Sequence, residues 1–132
     1  MIRLKIEEFS AAAPARYVVL AAFLAVVHSL LEEYYWRWFV FGRLRRLVSS
    51  PAAILISSLA FMAHHVVVLG RFFPNDFWPA AVPFSLCIAV AGGFWAWLCD
   101  RSDSIYAPWI SHLLVDVAIM AVGYDLVFGI IW

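Results

Sequence analysis

Four stretches of the chain are apolar for long enough to cross a bilayer, and the polar residues within them are few. Pro14 suits the first turn of a helix, and the apolar run that begins at Tyr17 continues to Phe41, with Gly42 as a natural stop. Residues 17–42 would make roughly 39 Å of helix, enough to span with tilt. Ser50 and Pro51 predict an N-cap and first-turn proline for a second span, about residues 50–70. A loop follows with Arg71, Pro74, Asn75 and Asp76, edged by Phe72, Phe73, Phe77 and Trp78 like an interfacial aromatic belt. The third span covers about 78–99. There Ala89 with Gly93, and Gly92 with Ala96, place small residues four apart and let helices approach closely. The fourth covers about 105–132. Residues 1–13 alternate apolar and charged side chains and predict a short segment at the bilayer surface. Glu7 and Glu8 stand where a signal peptide needs a basic region, so the first apolar segment is expected to be retained.

Composition turns this pattern into a fold class. With 66% hydrophobic and 14% charged residues, the chain is far more apolar than a soluble domain, for which about 45–50% and 25% are usual. The expectation is an all-α, multi-pass transmembrane helical bundle of about four spans, a single membrane-embedded domain over residues 1–132. Formal net charge is zero, which gives no support to a nucleic-acid partner. Cys87 and Cys99 fit no metal motif and are expected to face lipid or core. The basic run Arg43, Arg45 and Arg46 suits anionic headgroups. Arg3, Lys5, Arg16 and Arg71 nearly balance it on the other side, so charge does not set the orientation.

The exception to the apolar pattern is Glu32-Glu33-Tyr34-Tyr35-Trp36-Arg37. A charge at mid-span costs on the order of 3 kcal/mol on insertion scales, so three approach about 9 kcal/mol before pairing or protonation reduces it. Glu33 and Arg37 are four apart and share a helix face, which predicts an ion pair. Glu32 points about 100° away and must look to other helices. Polar groups there are His64 and His65 on the second span and His112 with Asp116, four apart, on the fourth. Measured from the arginine loop, Glu32 would lie about 15 Å deep, His65 about 21 Å, and His112 and Asp116 about 6 and 12 Å, so one pocket can hold them. His28 and His64 suit interhelical hydrogen bonds, and Glu33 with Arg37 a structural pair. Glu32, His65, His112 and Asp116 converge from three helices, which points to chemistry.

These blocks carry a resemblance. Glu32 to Arg37 resembles the EExxxR motif of the CAAX-processing and bacteriocin-processing (CPBP, or ABI) intramembrane endopeptidases. Phe61-Met62-Ala63-His64-His65 resembles their FxxxH. Ser104 to Asp116 resembles the final block ending in HxxxN or HxxxD, and all three stand in the family's order. The resemblance implies that Glu32 is the catalytic glutamate and His65 its partner. It also implies that His112 and Asp116 stabilise the oxyanion, with Glu33, Arg37 and Phe61 in support. Trp36 stands where phenylalanine is usual, Trp38 where glycine is frequent, and Asp116 where asparagine is common. An ionised aspartate only accepts hydrogen bonds, so Asp116 is expected to orient His112. The chain looks like a minimal core of the family, similar to small bacterial members paired with C-terminal protein-sorting tags.

The implied function is hydrolysis of a peptide bond in a membrane-anchored protein or peptide by glutamate-activated water. It needs neither cofactor nor metal, and its setting is the inner membrane of a prokaryote. Two alternatives use the same residues. A zinc protease would take His65, His112 and Asp116 as ligands and Glu32 as base, although HExxH is missing. A non-enzymatic component, for transport, binding or immunity, would use the polar cluster for binding or proton relay. The broken helices and repeats of transporters are not evident.

Overall fold

The computed structural model describes residues 14–129, which are helical apart from short turns and contain no strand. The surface segment expected at 1–13 and the last three residues of the expected fourth span lie outside the described residues. Among the described residues, four helices are long and apolar enough to cross a membrane: α1 (Pro14–Leu44), α2 (Ser50–Phe72), α3 (Phe77–Ser102) and α4 (Tyr106–Phe128). The all-α, four-span fold class follows from the sequence as expected.

The helix ends differ from the expectation for local reasons. Gly42 does not stop α1, because its φ of −60° is helical and its N–H donates to the Arg37 and Phe39 carbonyls. The chain runs on to Leu44 before turning. Ser49, not Ser50, takes the N-cap position of α2, and the Ser50 hydroxyl donates instead to Asp100 at 3.3 Å. α2 runs past the expected end near residue 70 to Phe72. A Cβ on Gly70 would lie 3.2 Å from the Phe77 ring, so the glycine admits an aromatic of the next helix. α3 passes the expected end and closes at Asp103, whose left-handed φ of 49° is tolerated by a short polar side chain.

α1 is not a uniform α-helix. Phe23–His28 and Tyr34–Phe41 are wound as π-helix, the second through the aromatic run YYWRWFVF, with regular α-helix at Ser29–Glu33 between them. The widened turns show in N–H bonds reaching five residues back, Ser29 to Leu24 and Gly42 to Arg37. Such turns are rare and concentrate at functional sites. Here they bracket the turn that carries Glu32 and Glu33.

The described residues form two compact units. In residues 32–108, α2 and α3 make an antiparallel pair joined by a short turn, and the C-terminal part of α1 packs on both. Phe41, Ala53, Ala96 and Cys99 form its buried core, edged by Leu44, Ile54 and Ile105. Cys87 is exposed, and both cysteines are free. Arg45 reaches Asp103 at 2.9 Å and Asp100 at 3.7 Å, which ties the turn after α1 to the turn after α3. In the other unit, residues 14–31 pack against 109–129. The Tyr17 hydroxyl donates to the Met120 carbonyl at 2.9 Å, and its ring meets Tyr124 and Phe128 edge-on. Trp109 Nε1 donates to the Val26 carbonyl and the Ser29 hydroxyl, both at 3.2 Å.

Candidate active site

Glu33 and Arg37 form the expected ion pair, Nε to Oε2 at 3.1 Å, with both side chains completely buried. The two terminal guanidinium nitrogens of Arg37 have no hydrogen-bond acceptor among the described residues. Aromatic faces take that place. The guanidinium carbon lies 4.7 Å from the Phe61 ring centre and 5.6 Å from that of Trp95. A desolvated cation over a ring gains up to about 2 kcal/mol, which offsets part of the missing hydrogen bonds. Gly92 makes the arrangement possible, because a Cβ there would sit 2.9 Å from Phe61. Thus Phe61 bridges the ion pair on α1 and a glycine on α3.

Phe61 also fixes the histidine one turn later. Its carbonyl lies 3.0 Å from His65 Nδ1, and a carbonyl can only accept, so Nδ1 carries a proton. In the neutral ring Nε2 is then the acceptor. That nitrogen faces Glu32 Oε1 at 3.7 Å, with both side chains mostly buried. At this distance the two are too far apart for a direct hydrogen bond, and a separation of this kind suits a bridging water. An ionised carboxylate and an Nε2 lone pair both accept. A water placed between them would donate one proton to each and turn its oxygen lone pairs outward.

His64 joins this cluster, which the sequence reading did not anticipate. The Glu32, His64 and His65 side chains bring one ligand atom each to within 4.8 Å of one another. His64 is exposed and does not act as a buried interhelical link. Its ring stands edge-on to His65 at 5.2 Å and lies 6.1 Å from Trp36. The adjacent-histidine step in the FxxxH block was the signal for it. This triad also differs from the zinc set read from the sequence, since it replaces His112 and Asp116 by Glu32 and His64.

His112 and Asp116 lie in the other unit and pair one helical turn apart, Nε2 to Oδ2 at 3.7 Å. His112 is buried and Asp116 partly exposed. At this distance the carboxylate orients the ring without a direct hydrogen bond. His28 is exposed on α1.

Buried charge paired inside long apolar helices is the construction of a multi-pass membrane protein. The match to known families is specific. Residues 14–118 fit the family model described as type II CAAX prenyl endopeptidase Rce1-like, and the chain belongs to that family. It is thus a CPBP-type, multi-pass membrane protein of a peptidase family that works on membrane-anchored substrates. Comparison with curated proteins and with solved structures gives no match.

Proposed function

We propose that this chain is an intramembrane glutamic endopeptidase that cleaves a membrane-anchored protein or peptide without a covalent intermediate. The observation that carries the reading is the facing pair of acceptors, Glu32 Oε1 and His65 Nε2, 3.7 Å apart, with His65 held in one tautomer by Phe61. Glu32 takes a proton from the water as its oxygen attacks the scissile carbonyl, and His65 holds the water on that line. His112 donates to the developing oxyanion, and Asp116 acts indirectly by orienting the His112 ring. Glu32 then returns its proton to the leaving amine as the carbon–nitrogen bond breaks. Glu33, Arg37 and Phe61 hold the geometry and take no part in proton transfer. The resemblance to small bacterial members supports a setting in the inner membrane of a prokaryote.

The test is cleavage of a panel of membrane-anchored peptides by purified protein in detergent. Wild type and Glu32→Gln are compared, each with and without a zinc chelator. A wild-type activity that survives the chelator and falls by about 10²-fold or more in Glu32→Gln supports the mechanism. Equal cleavage by both proteins sinks it.

A further inference from the structure

We propose that Glu32, His64 and His65 form a binding site for a zinc-class divalent cation, and that the bound ion inhibits cleavage by occupying the groups that activate water. The inhibitory part rests on the functional reading above, whereas the binding part stands on geometry alone.

The three ligand atoms lie within 4.8 Å of one another. Zinc–nitrogen and zinc–oxygen bonds of about 2.0–2.2 Å place two ligands of a tetrahedral site about 3.4 Å apart. Glu32 Oε1 and His65 Nε2, at 3.7 Å, already stand close to that spacing. The exposed His64 ring has room to turn the remaining distance. His65 is also oriented as a metal ligand, since Nδ1–H donates to the Phe61 carbonyl and leaves Nε2 for the ion. Two imidazoles and one carboxylate suit zinc and its transition-metal neighbours over magnesium or calcium. Three protein ligands leave a fourth position open, which lets the ion exchange.

The consequence for activity follows from which residue ligates. A zinc protease keeps its glutamate base outside the metal shell. Here Glu32 is itself a ligand, so its carboxylate is tied to the ion and is withdrawn from proton transfer. His64 has no part in the water step, which makes it the handle that separates metal binding from cleavage.

The full chain in detergent is titrated with Zn²⁺ and with Co²⁺. Binding is followed by calorimetry and, for Co²⁺, by its visible absorption, and cleavage is measured over the same range. The expected result is one ion per chain and inhibition over the same concentrations. His64→Asn should weaken binding by about 10-fold or more, resist inhibition to match, and cleave at the wild-type rate in chelator. His28→Asn, exposed in the other unit, should behave as wild type. Binding that is indifferent to His64→Asn, or cleavage that a chelator abolishes, overturns the proposal. Wild type that binds no ion yet cleaves in a Glu32-dependent way sinks the metal site alone. Wild type that binds the ion through His64 and cleaves nothing supports the site and sinks the hydrolytic reading.

Discussion

Replacing Arg37 by Met should destabilise the protein far more than any other arginine substitution, and a second replacement should restore most of the loss. The reason is burial. Arg37 and Glu33 are both completely buried, so solvent screens neither charge, and the guanidinium is held by Glu33 and two aromatic faces. Removing one member of such a pair leaves the other uncompensated and costs about 3–5 kcal/mol. Losing the contact with Phe61 and Trp95 belongs to the same event, at up to about 2 kcal/mol. Arg37→Met and Glu33→Met should therefore each cost about 3–5 kcal/mol. If the two losses were independent, the double variant would lose about 6–10 kcal/mol. With both charges gone and similar volumes retained, it should instead fall within about 2 kcal/mol of wild type. Reversible unfolding in detergent micelles, run on all four proteins, measures the coupling. Losses that simply add would refute the reasoning, because the pair would then be two separate contributors. Cleavage by the double variant adds a second reading. A stable but inactive double variant would show that the pair positions the site as well as stabilising the fold.

Gly92→Ala brings a Cβ to 2.9 Å from Phe61 and should cost about 1–3 kcal/mol in detergent unfolding, with a loss of cleavage because Phe61 also anchors His65. Asp116→Asn should lower kcat by about 10-fold, or about 1.4 kcal/mol in the barrier, with little change in KM; full activity would mean that an amide donor serves the oxyanion directly. Arg45→Ala should cost no more than about 1 kcal/mol in the same unfolding assay, since its partner Asp103 is largely exposed and water screens the pair. Tyr17→Phe should cost about 0.5–1.5 kcal/mol through the lost bond to the Met120 carbonyl. Gly123→Ala should cost more than Tyr17→Phe, because its Cβ would overlap the Tyr17 hydroxyl.

What could be read from the sequence follows the range of the forces involved. The spans were readable because crossing a bilayer is a property of long, contiguous stretches. The Glu33–Arg37 and His112–Asp116 pairs were readable because partners four apart meet on any helix turn. The cage around Arg37 was not, since Phe61, Gly92 and Trp95 come from two other helices and nothing in their spacing points at an arginine. Gly42 misleads for a related reason: glycine often ends a helix, whereas Gly42 sits within a helical turn. The π-helical winding of α1 was unreadable as well, because no residue type specifies it.

The same contrast bears on how the site works. Within residues 32–108, one aromatic residue connects every charged group of the cluster: the Phe61 ring covers Arg37, which pairs with Glu33, and the Phe61 carbonyl sets the tautomer of His65, which faces Glu32. Glu32 and Glu33 are adjacent in sequence and receive opposite treatment. One is sealed in a salt bridge and the other is left beside an imidazole. The regular α-turn at Ser29–Glu33 makes that division possible by pointing the two carboxylates about 100° apart. If the division is the purpose of the turn, exchanging the sites should fail asymmetrically. Glu32→Gln should keep the fold and lose cleavage, whereas Glu33→Gln should lose stability first and cleavage only as a consequence. A Glu33→Gln protein as stable as wild type but inactive would place the base at Glu33 and overturn the assignment.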